Sequence, residues 1–68
     1  MAMKITLNGE DHTVQSDASL GELLDMLELR GKRIAVEVNR EIVPRSEYDI
    51  FKLNESDTIE IVNAIGGG

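Results

Sequence analysis

The last three residues of the 68-residue chain, Gly66-Gly67-Gly68, follow directly on an apolar segment, Thr58-Ile59-Glu60-Ile61-Val62-Asn63-Ala64-Ile65. Glycine has no Cβ, so its backbone passes through channels too narrow for other residues, and it loses the most freedom on ordering. Three glycines at a terminus therefore add nothing to a fold. A thin end carrying an α-carboxylate suits threading into another protein's active site. There the carboxylate of Gly68 would itself react, while Gly66 and Gly67 supply clearance. The plainer reading of the same residues is a frayed end or a remnant of cloning.

Other chemistry is sparse. The chain has no cysteine, so no side chain can carry sulfur, form a disulfide or offer a thiolate to a metal. His12 is the one histidine. It has no second ligand or nucleophile at a useful spacing and reads as a surface residue. Glu22, Asp25 and Glu28 fall near one face of a predicted helix and read as its wet side rather than an acid–base pair or metal site. Arg45 follows Pro44 and could pair with a partner's carboxylate through its planar fork, or simply be solvated or bonded to a loop carbonyl. There is no Gly-x-x-x-x-Gly-Lys-Ser/Thr loop and no Gly-x-Gly-x-x-Gly after a strand, so nothing here binds ATP unaided. With no nucleophile–base pair or metal cluster either, an enzyme in its own right is disfavoured.

The elements that would hold the glycine end out can be taken in order. Met3, Ile5 and Leu7 alternate with Lys4 and Thr6, the period of a half-buried strand. Asn8-Gly9 supplies the two positive-φ residues of a type I′ turn, and Glu10 to Gln15 returns with His12 and Val14 on one face. Ser19-Leu20-Gly21-Glu22 fits a capping box. Leu20, Leu23, Leu24 and Leu27 then form one helical stripe, with Met26 on its flank. Gly31 stands where a helix C-terminal glycine would, followed by Lys32 and Arg33, so the helix is expected over about 20–29. Ile34, Val36 and Val38 alternate as a third strand. Asn39-Arg40 is a turn weakened by Arg40, which dislikes positive φ. Glu41-Ile42-Val43 is a short strand stopped by Pro44. The stretch from Arg45 to Leu53 is mostly irregular, with Tyr48, Ile50, Phe51 and Leu53 as anchors. Asn54 to Asp57 is a turn, and Thr58 to Ala64 is the last strand, with Ile59 and Ile61 inward.

Size and charge bound the rest. Sixty-eight residues make one domain, here residues 1–68 with a flexible tail at 65–68. A chain this short buries only roughly 60% of the surface its unfolded form exposes, which leaves no room for a deep substrate pocket. Thirteen acidic residues against seven basic give a net charge of −6. That repels phosphate backbones and anionic lipid, so neither nucleic acid nor membrane is an expected partner. It would steer a partner with a basic docking patch, or merely keep a small protein dissolved. No apolar run near the start is long enough for a signal peptide or a membrane span, and either Met1 or Met3 could be the natural start. The expected compartment is the cytoplasm. One amphipathic helix and about five strands bury their apolar faces as an α+β fold, with the helix on one side of a sheet. The other face is left uncovered, with Val62 and Ala64 on it and Ile65 beyond. These three are the candidates for partner docking beside the reactive tail. Val62 and Ala64 could equally complete a two-sided strand.

The combination resembles the thiamine-biosynthesis sulfur carrier family, ThiS. The likeness covers essentially the whole chain. It is carried by Val38-Asn39, by Ile42-Val43-Pro44-Arg45-Ser46-Glu47-Tyr48 and by Glu60-Ile61-Val62-Asn63-Ala64-Ile65-Gly66-Gly67-Gly68. Arg40 and Ser56 depart from it, standing where family members often have glycine in a turn. The resemblance implies a ubiquitin-like β-grasp fold, a mixed sheet whose first and last strands are parallel neighbours packed on the helix. It implies a carrier and not a catalyst. A partner adenylating enzyme of the ThiF type, using ATP and magnesium that it binds itself, would activate the Gly68 carboxylate. A sulfur donor protein would convert it to a thiocarboxylate, and thiazole synthase, of the ThiG type, would take the sulfur. This chain would hold no cofactor or metal of its own. Two alternatives share some of these features: the small subunit of molybdopterin synthase or a carrier for another sulfur acceptor, and a β-grasp interaction module with an inert tail. The molybdopterin small subunits are usually longer and lack the Pro-Arg-Ser-x-Tyr pattern.

Overall fold

Alternation in the first fifteen residues produces a hairpin. In the computed structural model, which describes residues 1–63, β1 (Ala2–Leu7) and β2 (Glu10–Gln15) pair antiparallel from Ala2↔Gln15 to Leu7↔Glu10. Asn8 and Gly9 turn at φ 49° and 85°, both positive as a type I′ turn requires. Met3, Ile5, Leu7 and Val14 are buried on one face.

Helix α1 (Leu20–Met26) begins at the capping box read from the sequence: the Glu22 N–H donates to Ser19 Oγ at 3.1 Å, and the Ser19 N–H donates to Glu22 Oε1 at 2.8 Å. Leu20, Leu23 and Leu24 are buried. The helix stops about three residues earlier than expected. Glu28, at φ 60°, takes the left-handed position assigned above to Gly31. The Leu29 N–H donates to the Leu24 carbonyl at 2.8 Å and the Glu28 N–H to the Asp25 carbonyl at 3.0 Å, the two bonds of a Schellman end. Reversing here folds both Leu27 and Leu29 back against the core. That apolar gain offsets the strain of a non-glycine residue at Glu28. Gly31, at φ 87°, serves a second turn closed by the Lys32 N–H on the Leu29 carbonyl at 3.1 Å, so Lys32 and Arg33 do not sit at the helix end.

Strands β3 (Ile34–Val38) and β4 (Glu41–Val43) form a second hairpin through Asn39 and Arg40, at φ 53° and 72°. Strand β5 (Thr58–Asn63) lies between the hairpins, parallel to β1 (Thr6↔Thr58, Leu7↔Ile59) and antiparallel to β3 from Val38↔Ile59 to Ile34↔Asn63. The strand order is β2-β1-β5-β3-β4, a mixed sheet with the helix on one face: the β-grasp arrangement.

The connection from β4 to β5 runs under the start of the helix. After a short 3-10 turn (Arg45–Glu47), the Tyr48 and Phe51 carbonyls accept the Gly21 and Leu20 N–H groups, each at 2.8 Å, and the Leu53 N–H donates to Ala18 at 3.0 Å. The first-turn donors of α1 are thereby satisfied. Tyr48 and Leu53 are buried and Phe51 half-buried, as expected of anchors. Ile50 is not one. It falls between Tyr48 and Phe51 on the outward side and is 74% exposed. The tail positions 65–68 lie outside the described residues, as does Ala64.

Candidate functional site

The site is the far end of β5, beyond which the sequence runs on to the glycine end. Strand period 2 sets its two faces. Ile59 is fully buried and Ile61 half-buried toward the helix, so Val62 must point to the opposite face, where it is 58% exposed. Val62 faces Ala35 across the ladder. Ile42, 69% exposed, shares that outer face diagonally beyond Ala35, because its neighbour Val43 is turned inward. Sequence reasoning placed Val62 on this face but missed Ile42. The signal was present, since once Val43 is inside, Ile42 is outside. Ala64, Ile65, Gly66, Gly67 and Gly68, the other residues assigned to docking, threading and reaction, lie outside the described residues.

Two carboxylates border the apolar strip. Glu37 and Glu60 are directly opposed across β3 and β5, and Glu37 also faces Ile42. Like charges opposed across strands destabilise a sheet. No cation pairs with either among the described residues.

Fastenings hold β5 in place. The Asn8 N–H donates to the Ile59 carbonyl at 2.9 Å, and Asn8 Oδ1 accepts the Ile61 N–H at 2.8 Å. At the other end, Asn39 Oδ1 accepts the Thr58 N–H at 3.0 Å while Asn39 Nδ2 donates to Asp57 Oδ1 at 2.9 Å. Asp57 is buried, and its second oxygen accepts the Asn54 N–H at 2.8 Å. The buried carboxylate thus ties both turns to the root of the strand, a role that its polar type in a loop did not announce.

The remaining candidates sit elsewhere. His12 is half-buried on the helix-facing side, at a groove of about 410 Å³ shared with Leu7, Leu27, Leu29 and Ile61. No group of three or more metal-ligating side chains occurs among the described residues. Asp25 holds Arg30 in a two-pronged pair at 2.9 and 3.0 Å, and Arg30 Nη2 also reaches Asp49 at 2.8 Å. The hydrogen bond from Arg30, ahead of its charge, keeps the Asp25 carboxyl below its ordinary range, and the pairing raises Arg30 in turn. The triad crosses the helix at Gly21, where a Cβ would stand 2.5 Å from Asp49 Oδ1. Arg45 is exposed and makes no ion pair among the described residues.

Comparison with known proteins agrees with this geometry. The model of the ThiS family matches residues 5–68. The chain is 37% identical over 65 residues to the sulfur carrier protein ThiS of Bacillus subtilis, covering 94% of this chain and 98% of that one. It is 41% identical over 66 residues to a thiazole synthase of Paramagnetospirillum magneticum, covering 97% of this chain but only 20% of the relative. The chain therefore spans about a fifth of that relative's length. The crystal structure of the thiamine biosynthesis protein ThiS from Geobacter metallireducens superposes with a TM-score of 0.84 at 30% identity, covering 97% of this chain and all of that one.

Proposed function

This chain belongs to the ThiS family, and from that membership we propose that it is a cytoplasmic sulfur carrier of thiamine biosynthesis whose reacting group is the carboxylate of Gly68. The observation that carries the reading is the extent of the family match, which runs through Gly68, so the glycine end belongs to the matched region.

The chemistry divides between carrier and partners. A carboxylate is a poor electrophile, because its charge and resonance resist attack. An adenylating partner, supplying ATP and magnesium, joins a Gly68 carboxylate oxygen to the α-phosphorus and expels pyrophosphate. The outer sulfur of a donor protein's persulfide then attacks the Gly68 carbonyl and displaces AMP, which leaves an acyl disulfide between Gly68 and the donor. A thiol of the partner proteins attacks the donor sulfur of that bond, forms a disulfide with the donor and releases Gly68 as a thiocarboxylate. The nucleophile is foreign, since this chain has no cysteine. Gly66 and Gly67 clear the channel to the nucleotide. Val62 and Ile42 on the outer sheet face, together with Ala64 and Ile65, give the partner its apolar hold, and Glu37 and Glu60 offer that partner's basic groups a counter-charge.

The sulfur acceptor is a thiazole synthase. Support comes from the Paramagnetospirillum relative, in which a segment like this chain forms a fifth of a protein named for that activity. The test is complementation of a thiazole-requiring strain that lacks its own carrier. The parent gene should restore growth without thiazole, and the gene shortened by the Gly68 codon should not. Growth restored equally by both would refute the reading.

A further inference from the structure

The basic residues of this acidic chain are not spread evenly. Arg30, Lys32 and Arg45, three of its seven, line one open pocket of about 310 Å³ with a single carboxylate, Asp49. Arg30 is already engaged by Asp25 and Asp49. Lys32 and Arg45 make no ion pair among the described residues. They approach from different elements, Lys32 from just ahead of β3 and Arg45 from just beyond β4, over apolar lining supplied by Ile34 and Tyr48. Ile34 is also the residue opposite Asn63, the last residue of β5. The pocket therefore borders the edge of the body from which the chain continues to Gly68.

We propose that this pocket is the docking point for a carboxylate-rich segment of the adenylating partner, with Lys32 and Arg45 as its two contacts. The proposal rests on the carrier reading and names a second surface beyond the outer sheet face. Charge complementarity identifies the occupant. Two cations without an ion pair among the described residues, set on separate elements above apolar lining, complement the acidic side chains of such a segment. Such a contact brings the partner against the end of β5. Being exposed, it governs encounter and affinity more than the chemical step, and salt weakens it.

The test measures adenylation of the full chain by a ThiF-type enzyme with ATP, at low and high salt. The double variant Lys32→Glu/Arg45→Glu should raise KM about tenfold or more with kcat unchanged, and its KM should rise less with salt than the parent's does. Lys32→Gln/Arg45→Gln should fall between it and the parent, with an unaltered melting temperature. Lys4→Glu/Lys52→Glu makes the same change of net charge away from the pocket and should leave KM within about twofold of the parent. A KM for Lys32→Glu/Arg45→Glu equal to that of Lys4→Glu/Lys52→Glu would overturn the pocket while leaving the carrier reading intact. A parent chain that is never adenylated overturns both.

Discussion

Asn8 brackets the last strand: its backbone N–H donates to Ile59 at 2.9 Å and its side-chain oxygen accepts the Ile61 N–H at 2.8 Å. The parallel ladder between β1 and β5 ends at Leu7↔Ile59, so the side chain continues it by one bond after the β1 backbone has turned away. Val62 is next in line. Replacing Asn8 with glycine keeps the positive φ and removes only the side-chain bond. Asn8→Gly should cost about 0.5–1.5 kcal/mol, the net worth of one hydrogen bond, and lower Tm by roughly 4–8 °C per kcal/mol. Amide exchange should accelerate at Ile61 more than at Ile59. Unchanged protection at Ile61 would show that the bond does not hold the strand end.

Arg40 and Ser56 both occupy left-handed backbone, at φ 72° and 70°. The resemblance read from the sequence leads one to expect glycine at both positions. Left-handed backbone strains a residue with a Cβ by roughly 1–2 kcal/mol, and glycine gives back about half to one of that in unfolded-state entropy. Arg40→Gly and Ser56→Gly should each raise stability by up to about 1 kcal/mol in urea unfolding. Gly9→Ala, at φ 85° in open space, should lower it. A loss of stability in both glycine variants would mean that the turns are held by the side chains themselves.

Much of this architecture was legible because neighbouring residues constrained one another. Asn8-Gly9, the Ser19–Glu22 box and the alternation of Ile59 and Ile61 each report a local rule, and each held. The misses came where tertiary packing chose between local options. Gly31 is a better helix terminator than Glu28, but ending at Glu28 lets Leu27 and Leu29 reach the core. Ile50 is as apolar as its neighbours, yet the carbonyls of Tyr48 and Phe51 are needed at the helix start, and Ile50 is left outside. Asp57 looks like any turn aspartate until Asn39, eighteen residues earlier, comes within 2.9 Å. At the site, the direction of Val62 followed from strand period alone, whereas the pocket of Lys32 and Arg45 needed the fold-back after α1 and the β3–β4 hairpin that brings residues 29–34 and 45–49 together.

The exposure of Val62 separates docking from folding. Val62→Asp places a charge on a side chain already 58% exposed and should change stability by less than about 0.5 kcal/mol while weakening the adenylating partner's hold. Ile65→Asp should behave alike. Ile59→Ala, three residues earlier and fully buried, should cost about 2–5 kcal/mol. Calorimetry paired with a binding titration checks all three, and a Val62→Asp protein that binds normally would remove the outer face from the docking surface.

Glu60 sits opposite Glu37, and relieving that repulsion should stabilise the sheet. Glu60→Lys should gain about 0.2–1 kcal/mol and lose affinity for the partner's basic groups. A variant that is both more stable and bound as tightly would show that the opposed carboxylates are incidental.

Gly67 tests the channel. Gly67→Val adds a branched side chain to the glycine end. It should abolish adenylation with the melting temperature unchanged. Adenylation at the parent rate would mean that the tail is not threaded.

The central claim is that Gly68 accepts sulfur on its own carboxylate. Intact mass after incubation with a ThiF-type enzyme, ATP and a sulfur donor measures this directly. The parent chain should gain the difference between one sulfur and one oxygen, and the chain lacking Gly68 should not. A parent chain of unaltered mass, with the enzyme consuming ATP and the donor loaded with sulfur, would contradict it.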